Sequence, residues 1–267
     1  MSVTFFEQWY AGSLKIRGYE PVSASGLPVY VYFSGTGTSD TRTAELEFPR
    51  QMALRDYVGA WVEYPNHASY PTSCAGVRGK MATVRQGIQA VCDRPKADCS
   101  RGIAVHGFSQ GAHIATLAAE YHSSVSAALL FGHGHYNWGA LSNFACFYAS
   151  NVNPHLPKHK RRHLTAENDP YFGIVASGVR QQLKIVSGYG CGNKNVCFDE
   201  SGAGYRVVTA SSLGGINLFG FPGHCFFLTA WYAPRRHEPP PFHPHCASER
   251  RASWSQHLRR VAIEVAQ

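Results

Sequence analysis

The chain has no apolar run long enough to cross a bilayer; its most apolar window, 125–131 (VSAALLF), suits a buried strand. The opening stretch, MSVTFFEQWYAGSLKIRGYEP, lacks a charged segment followed by an apolar core, so no secretory leader is read there. CxxC is absent, and no cysteine pair sits beside a second at zinc-finger spacing, which argues against a structural metal site. No glycine-rich turn ends in Lys-Ser or Lys-Thr, so a phosphate loop is not expected. Internal repeats are missing. Low complexity is confined to the proline-crowded piece 235–246, read as a loop or lid. Acidic residues are scarce, 17 against 25 Lys and Arg, giving a net charge of +8. The positive residues gather at 158–163, 235–236, 250–251 and 259–260. No nucleic-acid-binding motif accompanies them, so the reading is a solvated basic surface, with attraction to anionic surfaces or polymers as the alternative.

Cysteine, by contrast, is plentiful, with 8 residues in 267. Cys92 with Cys99 and Cys191 with Cys197 lie close enough to close small loops, as secreted proteins often do. Cys74, Cys146, Cys225 and Cys246 allow three pairings, and nothing in the sequence chooses among them. An oxidising compartment, secreted or periplasmic, is the expectation. A hydrophobic content of 44% over this length can bury one large core, so one domain, 1–267, is expected.

Strand and helix patterns alternate along most of the chain, which predicts an α/β fold: a mostly parallel sheet with helices on both faces. Strands are predicted at 28–33 (PVYVYF), 58–64, 103–107, 125–131, 162–167 and 205–210. Helices are predicted at 45–57, 110–121, 173–187 and 248–265. Another is predicted over 74–92, where Val77, Met81, Val84, Ile88 and Val91 form one apolar stripe. That stripe reads as core packing.

The chemistry concentrates at 101–115, RGIAVHGFSQGAHIA. A serine hydroxyl needs a base within hydrogen-bond reach to act as a nucleophile. A tight strand-to-helix turn lifts Ser109 Oγ above the sheet, where a histidine from another loop can reach it. The same turn brings strand and helix so close that the residues two before and two after must be tiny, here Gly107 and Gly111. The following helix aims its first N–H groups at the site, ready for an oxyanion. A bare GxSxG is weak evidence, but an apolar strand before it and an Ala-rich helix after it supply the required context.

At these residues the chain resembles the α/β-hydrolase superfamily, over nearly its whole length. The resemblance implies the chain order Ser, then Asp or Glu, then His. Asp169 and Asp199 are the aspartates between Ser109 and His224, and Glu120, Glu167 and Glu200 the glutamates. Asp169 follows a candidate strand and precedes a helix, so it is preferred. Asp199 remains the alternative, and an Asn-Asp-Pro turn is the bland reading of 168–170. The base is placed at His224 in FPGHCFF, after the last predicted strand; His237, His243 and His245 beyond it read as surface residues. Some secreted lipases of the superfamily carry a Gly-Thr-Gly-Thr much like 35–38 here. In those the first threonine gives its backbone N–H, and often its hydroxyl, to the oxyanion, and by that resemblance Thr36 pairs with the N–H of Gln110 to form the oxyanion hole.

Residues 60–115 also resemble cutinases and acetylxylan esterases, through Tyr64-Pro65…Tyr70…Ser73…Gly76, Cys99 and the GFSQG elbow, with Phe108 standing where those carry Tyr. Phe108, Tyr136 and Trp138 are candidates to line the acyl site, or simply to pack. His106 reads as a hydrogen-bonded core histidine. His133 and His135 follow a strand, at the edge where substrate would bind; a metal there is the lesser alternative, since no carboxylate or cysteine sits at ligand spacing. The expectation is a serine esterase for short-chain, polyester or plant-wall esters, working through Ser109, His224 and Asp169 without a cofactor. Its partner is a small-molecule or polymeric ester, with no nucleic acid and no membrane span; the oligomeric state stays open. A lipase, a thioesterase, an acyltransferase and a catalytically silent binding protein are the alternatives.

Overall fold

A hairpin opens the chain where the sequence pattern predicts no strand: β1 (Val3–Tyr10) and β2 (Leu14–Pro21) pair antiparallel, Tyr10 opposite Leu14. The reason is visible in β1, where only Phe6 and Tyr10 are buried, so the two-residue alternation that marks a strand is lost. The fold is taken from a computed structural model that describes residues 2–37, 45–66, 71–137, 142–147, 156–173, 178–213 and His224.

Next come β3 (Val29–Phe33), α1 (Glu47–Ala53) and β4 (Val58–Val62), both strands buried along their whole length as befits strands covered on two faces. The predicted single helix over 74–92 is two helices, α2 (Cys74–Arg78) and α3 (Met81–Cys92), parted at Gly79-Lys80. Val77 and Met81 are both fully buried, so the apolar stripe runs straight through the break and periodicity hides it. Then follow β5 (Ile103–Phe108), α4 (Gln110–Tyr121) and β6 (Val125–Phe131). The short pair β7 (Tyr136–Asn137) and β8 (Ser142–Asn143) precedes β9 (Arg161–Ala166). The helix predicted over 173–187 begins later, as α5 (Gly178–Ser187), because Gly173 belongs to a turn closed on Asp169; 174–177 lie outside the described residues. Finally β10 (Val196–Phe198), another strand the sequence reading misses, pairs antiparallel with β11 (Gly204–Val208). The Pro-rich piece 235–246 and the helix predicted over 248–265 lie outside the described residues.

The long sheet runs β1-β2-β4-β3-β5-β6-β9-β11-β10, with β4, β3, β5, β6, β9 and β11 mutually parallel. Alternation sorts its faces. Val29, Val31 and Phe33 pack with α3 and α4, while Tyr30 and Tyr32 pack with Phe48 and Met52 of α1. A third cluster joins Leu183 of α5 to Tyr205 and Val207 of β11. Disulfides join Cys92 to Cys99, Cys191 to Cys197 and Cys74 to Cys146. The last ties α2 to the segment after β8, settling for two cysteines what the sequence left open; Cys225 and Cys246 lie outside the described residues.

Buried histidine is a peculiarity of this core. His106 and His133 are fully buried and pushed down to about 3 by loss of solvent. His113 and His163 are shifted the same way, by burial first and then by neighbouring His133. His163, read from sequence as part of a basic surface run, packs its ring against His133 at 5.1 Å. Each of these groups binds its proton more readily in the unfolded chain. Stability from them is therefore intact above the ordinary imidazole value and drains away as pH falls below it. The thermal midpoint, followed from about pH 8 to about pH 5, is expected to drop as pH passes below roughly 6.5; a flat midpoint across that window contradicts it.

Candidate active site

Parallel strands end at one common edge, and the segments that follow β3, β4, β5, β6 and β9 leave the sheet there. After β5 the chain must turn into α4 within a residue. Ser109 N donates to Phe131 O at 2.9 Å, continuing the sheet, while Ala112 N already donates to Ser109 O at 3.0 Å. Ser109 sits at φ 54° and ψ −119°, a region that L residues rarely occupy. A Cβ on Gly107 would lie 2.0 Å from Gly111 O, and one on Gly111 would lie 2.1 Å from Phe33 O. Both glycines are thus demanded by backbone-to-backbone contact, the first across the turn itself and the second by the end of β3.

The end of β3 passes directly over the serine. A Cβ on Gly35 would meet the Phe108 ring at 3.1 Å and Ser109 Cβ at 3.2 Å. Tyr64 Oη donates to Ser34 O at 2.6 Å, and Asn66 Nδ2 to Gly35 O at 2.9 Å. Gly37 N in turn donates to Asn66 O at 3.1 Å. Thr36 and Gln110, assigned together to the oxyanion hole, meet through their side chains: Gln110 Nε2 donates to Thr36 Oγ1 at 2.8 Å. Sequence reasoning overlooks Asn66. Its signal lies in topology, since β4 runs parallel beside β3 and delivers its following residues to the same edge.

Asp169 follows β9 and is fully buried. Its Oδ1 accepts the N–H groups of Tyr171 at 2.9 Å and Phe172 at 3.1 Å. Its Oδ2 lies 2.7 Å from His224 Nδ1. A carboxylate only accepts, so the shared proton belongs to Nδ1, and a neutral ring then presents bare Nε2. Gly173 closes the turn beneath: its N donates to Asp169 O at 2.7 Å, and a Cβ there would lie 2.6 Å from Asp169 N. Tyr171 packs edge-on to the His224 ring at 4.8 Å, and burial beside Asp169 raises its phenol. Phe108 underlies the imidazole at 4.7 Å and also bounds Ser109. Among the described residues no hydrogen bond joins Ser109 Oγ to His224; such contacts often tighten only when substrate is bound.

Asp199 stands elsewhere. It precedes β11, at the opposite edge of the parallel strands, and is fully exposed. Bonds from Ser201, Tyr189 and Ala203 hold it down to about 2, as suits a turn carboxylate. His106 is bound through Nδ1 to Tyr30 Oη among aromatic rings.

One placement corrects the sequence reading. His133 does not face the substrate edge; its ring lies in the core between His113 and His163. Thr165 on β9 holds the backbone there, its hydroxyl accepting from the N–H of His133 and donating to its C=O. Gln182 of α5 holds the next stretch, accepting from the N–H groups of His135 and Tyr136. Tyr136 is half-buried, and no contact joins it to Ser109, Asp169 or His224 among the described residues, whereas Trp138, His237, His243 and His245 lie outside them. Among the described residues no group of three His, Cys, Asp or Glu side chains is arranged to hold a metal ion.

Neither a sequence-family profile nor a curated protein sequence matches the chain. Solved structures do. A Klebsiella pneumoniae structure assigned as a dienelactone hydrolase aligns at 14% identity over 100% of both chains, with a TM-score of 0.55. A fungal esterase structure from Rhizomucor miehei aligns at 14% identity over 99% of this chain and 83% of its own, with a TM-score of 0.52. EstE1, a thermostable carboxylesterase cloned from a metagenomic library, aligns at 19% identity over 86% and 83%, with a TM-score of 0.51. With the strand order above, these similarities establish the α/β-hydrolase fold.

The elbow carries its own test. Ser109→Gly relieves roughly 1–3 kcal/mol of backbone strain and gives back roughly 0.5–1 kcal/mol in chain entropy. Denaturant titration is expected to show the variant more stable by ~1 kcal/mol; a loss of stability would mean the turn holds no strain.

Proposed function

We propose that this protein is a serine hydrolase of carboxylic esters, with Ser109 as nucleophile, His224 as base and Asp169 as the acid that orients it. The observation carrying the proposal is the buried 2.7 Å contact between Asp169 and His224, delivered to the strand edge where Ser109 sits in its strained turn. The α/β-hydrolase fold accommodates many chemistries, so the reading rests on these side chains.

His224 Nε2 takes the Ser109 hydroxyl proton as Oγ attacks the ester carbonyl carbon. The N–H groups of Thr36 and Gln110 receive the negative charge that develops on the carbonyl oxygen. Asp169 stabilises the imidazolium and keeps Nδ1 protonated. As the tetrahedral intermediate collapses, the imidazolium protonates the departing alcohol and an acyl-serine remains. Water then gives its proton to His224 and attacks the acyl carbon; collapse returns Ser109 and releases the carboxylic acid. The resemblance of 60–115 to cutinases and acetylxylan esterases favours short-chain, polyester or plant-wall esters. Phe108 and Tyr136, with Trp138, are the candidate acyl-site lining. The three disulfides among the described residues support an oxidising compartment outside the cytosol. No described helix is long and apolar enough to cross a membrane.

Hydrolysis of p-nitrophenyl esters from acetate to palmitate tests this reading. Activity is expected to fall with chain length and to vanish in Ser109→Ala, together with labelling by a fluorophosphonate. Asp169→Asn is expected to lower kcat on the order of 10³- to 10⁴-fold, while Asp199→Asn leaves it within about twofold. Turnover that survives Asp169→Asn but not Asp199→Asn reverses the choice of acid. A folded protein that cleaves no ester or thioester and takes no label is a binding protein.

A further inference from the structure

Lys80 occupies an unfavourable place. It is the residue before α3, where the positive end of the helix dipole disfavours a cation. The side chain is half-buried, its ammonium is pushed down by lost solvation, and among the described residues it has no ion pair. Such a position costs stability, so the contacts it makes are informative. Lys80 Nζ donates to Gln110 Oε1 at 2.7 Å, and the ammonium lies 6.0 Å from the Tyr64 ring, whose hydroxyl anchors Ser34.

Gln110 is fully buried, and its two amide ends are chemically opposite. Lysine has only donors, so the end it touches must be Oε1. The NH2 end is then forced toward Thr36, where Nε2 donates to Oγ1 at 2.8 Å. A hydroxyl oxygen that accepts this bond keeps its own proton for another acceptor. Were the amide reversed, Oε1 would face Thr36 and draw that proton to itself.

We propose that Lys80 is a positioning residue for the oxyanion hole. Through the Gln110 amide it orients the Thr36 hydroxyl, whose donation to the oxyanion the Gly-Thr-Gly-Thr resemblance already implies, and lends that hydrogen bond the polarisation of a nearby positive charge. This rests on the reading of Ser109 as the nucleophile. No proton moves along the chain of contacts; the amide holds its orientation throughout turnover.

Lys80→Met removes the charge and keeps the chain length; Gln110→Glu keeps the shape but offers Thr36 only an acceptor. Two readouts are needed: kcat and KM for p-nitrophenyl acetate, and the Kd of an aryl trifluoromethyl ketone, whose hemiketal places an oxyanion in the hole. Removing a donor of this kind costs on the order of 10²–10³-fold, and misorienting one is expected to cost roughly 10-fold. Lys80→Met and Gln110→Glu should each lose about that in kcat with KM within about twofold, and the ketone should weaken in parallel. Lys80→Arg should recover most of both. If Lys80→Met matches the parent in kcat and ketone affinity, or loses only thermal stability, the relay is overturned while ester hydrolysis stands. Should Lys80→Met fail to fold, Gln110→Glu decides by the same two readouts. If the parent captures the ketone without cleaving esters, the affinities alone decide. A parent that neither cleaves ester nor captures ketone overturns both readings.

Discussion

The near-contact of α4 with the ends of β5 and β3 is the constraint on which the rest depends. Carbonyl oxygens lie 2.0 and 2.1 Å from where side-chain carbons would stand at Gly107 and Gly111, so the helix start, the strand before Ser109 and the 34–37 loop are held as one unit. That closeness leaves Ser109 no ordinary backbone conformation and sets Thr36 beside Gln110. A parallel sheet makes the arrangement general. Strands that share a direction also share an exit edge, so segments far apart in sequence arrive at one place.

Around this unit the protein buries much polarity and satisfies it locally. Asp169 is held on three sides, by two backbone N–H groups and by His224. Thr165 and Gln182 pin the turn after β6 through backbone bonds, and Tyr64 and Asn66 pin the turn after β3. These described turns at the edge are thereby tied to a neighbouring strand or helix, which is how irregular backbone keeps a fixed geometry without regular pairing. The histidines in the core carry a different consequence: they are harmless while neutral, and burial makes their protonation expensive.

Much of the architecture was legible because hydrophobic pattern and turn chemistry are local. The helix at 110–121 and the strand at 125–131 begin and end where their patterns do. Misses occurred where burial and pattern part company. β1 exposes one face and buries only Phe6 and Tyr10 of the other, β10 is only a three-residue edge strand, and α2 and α3 share one apolar stripe across a break. His133 was misplaced for a related reason. A residue just past a strand can face either way, and here the ring packs into the core between His113 and His163.

By itself the sequence determined the α/β pattern, the strained serine between two glycines, and a short roster of acids and bases downstream of it. These follow from steric and periodic rules that act over a few residues. Only the tertiary structure decided that Asp169 rather than Asp199 meets His224, that Cys74 pairs with Cys146, and that Lys80 lies behind Gln110. Those facts join residues separated by 55, 72 and 30 positions. Such pairings are set by strand order and by which edge of the sheet each loop leaves, and neither quantity is written in any local stretch of the chain.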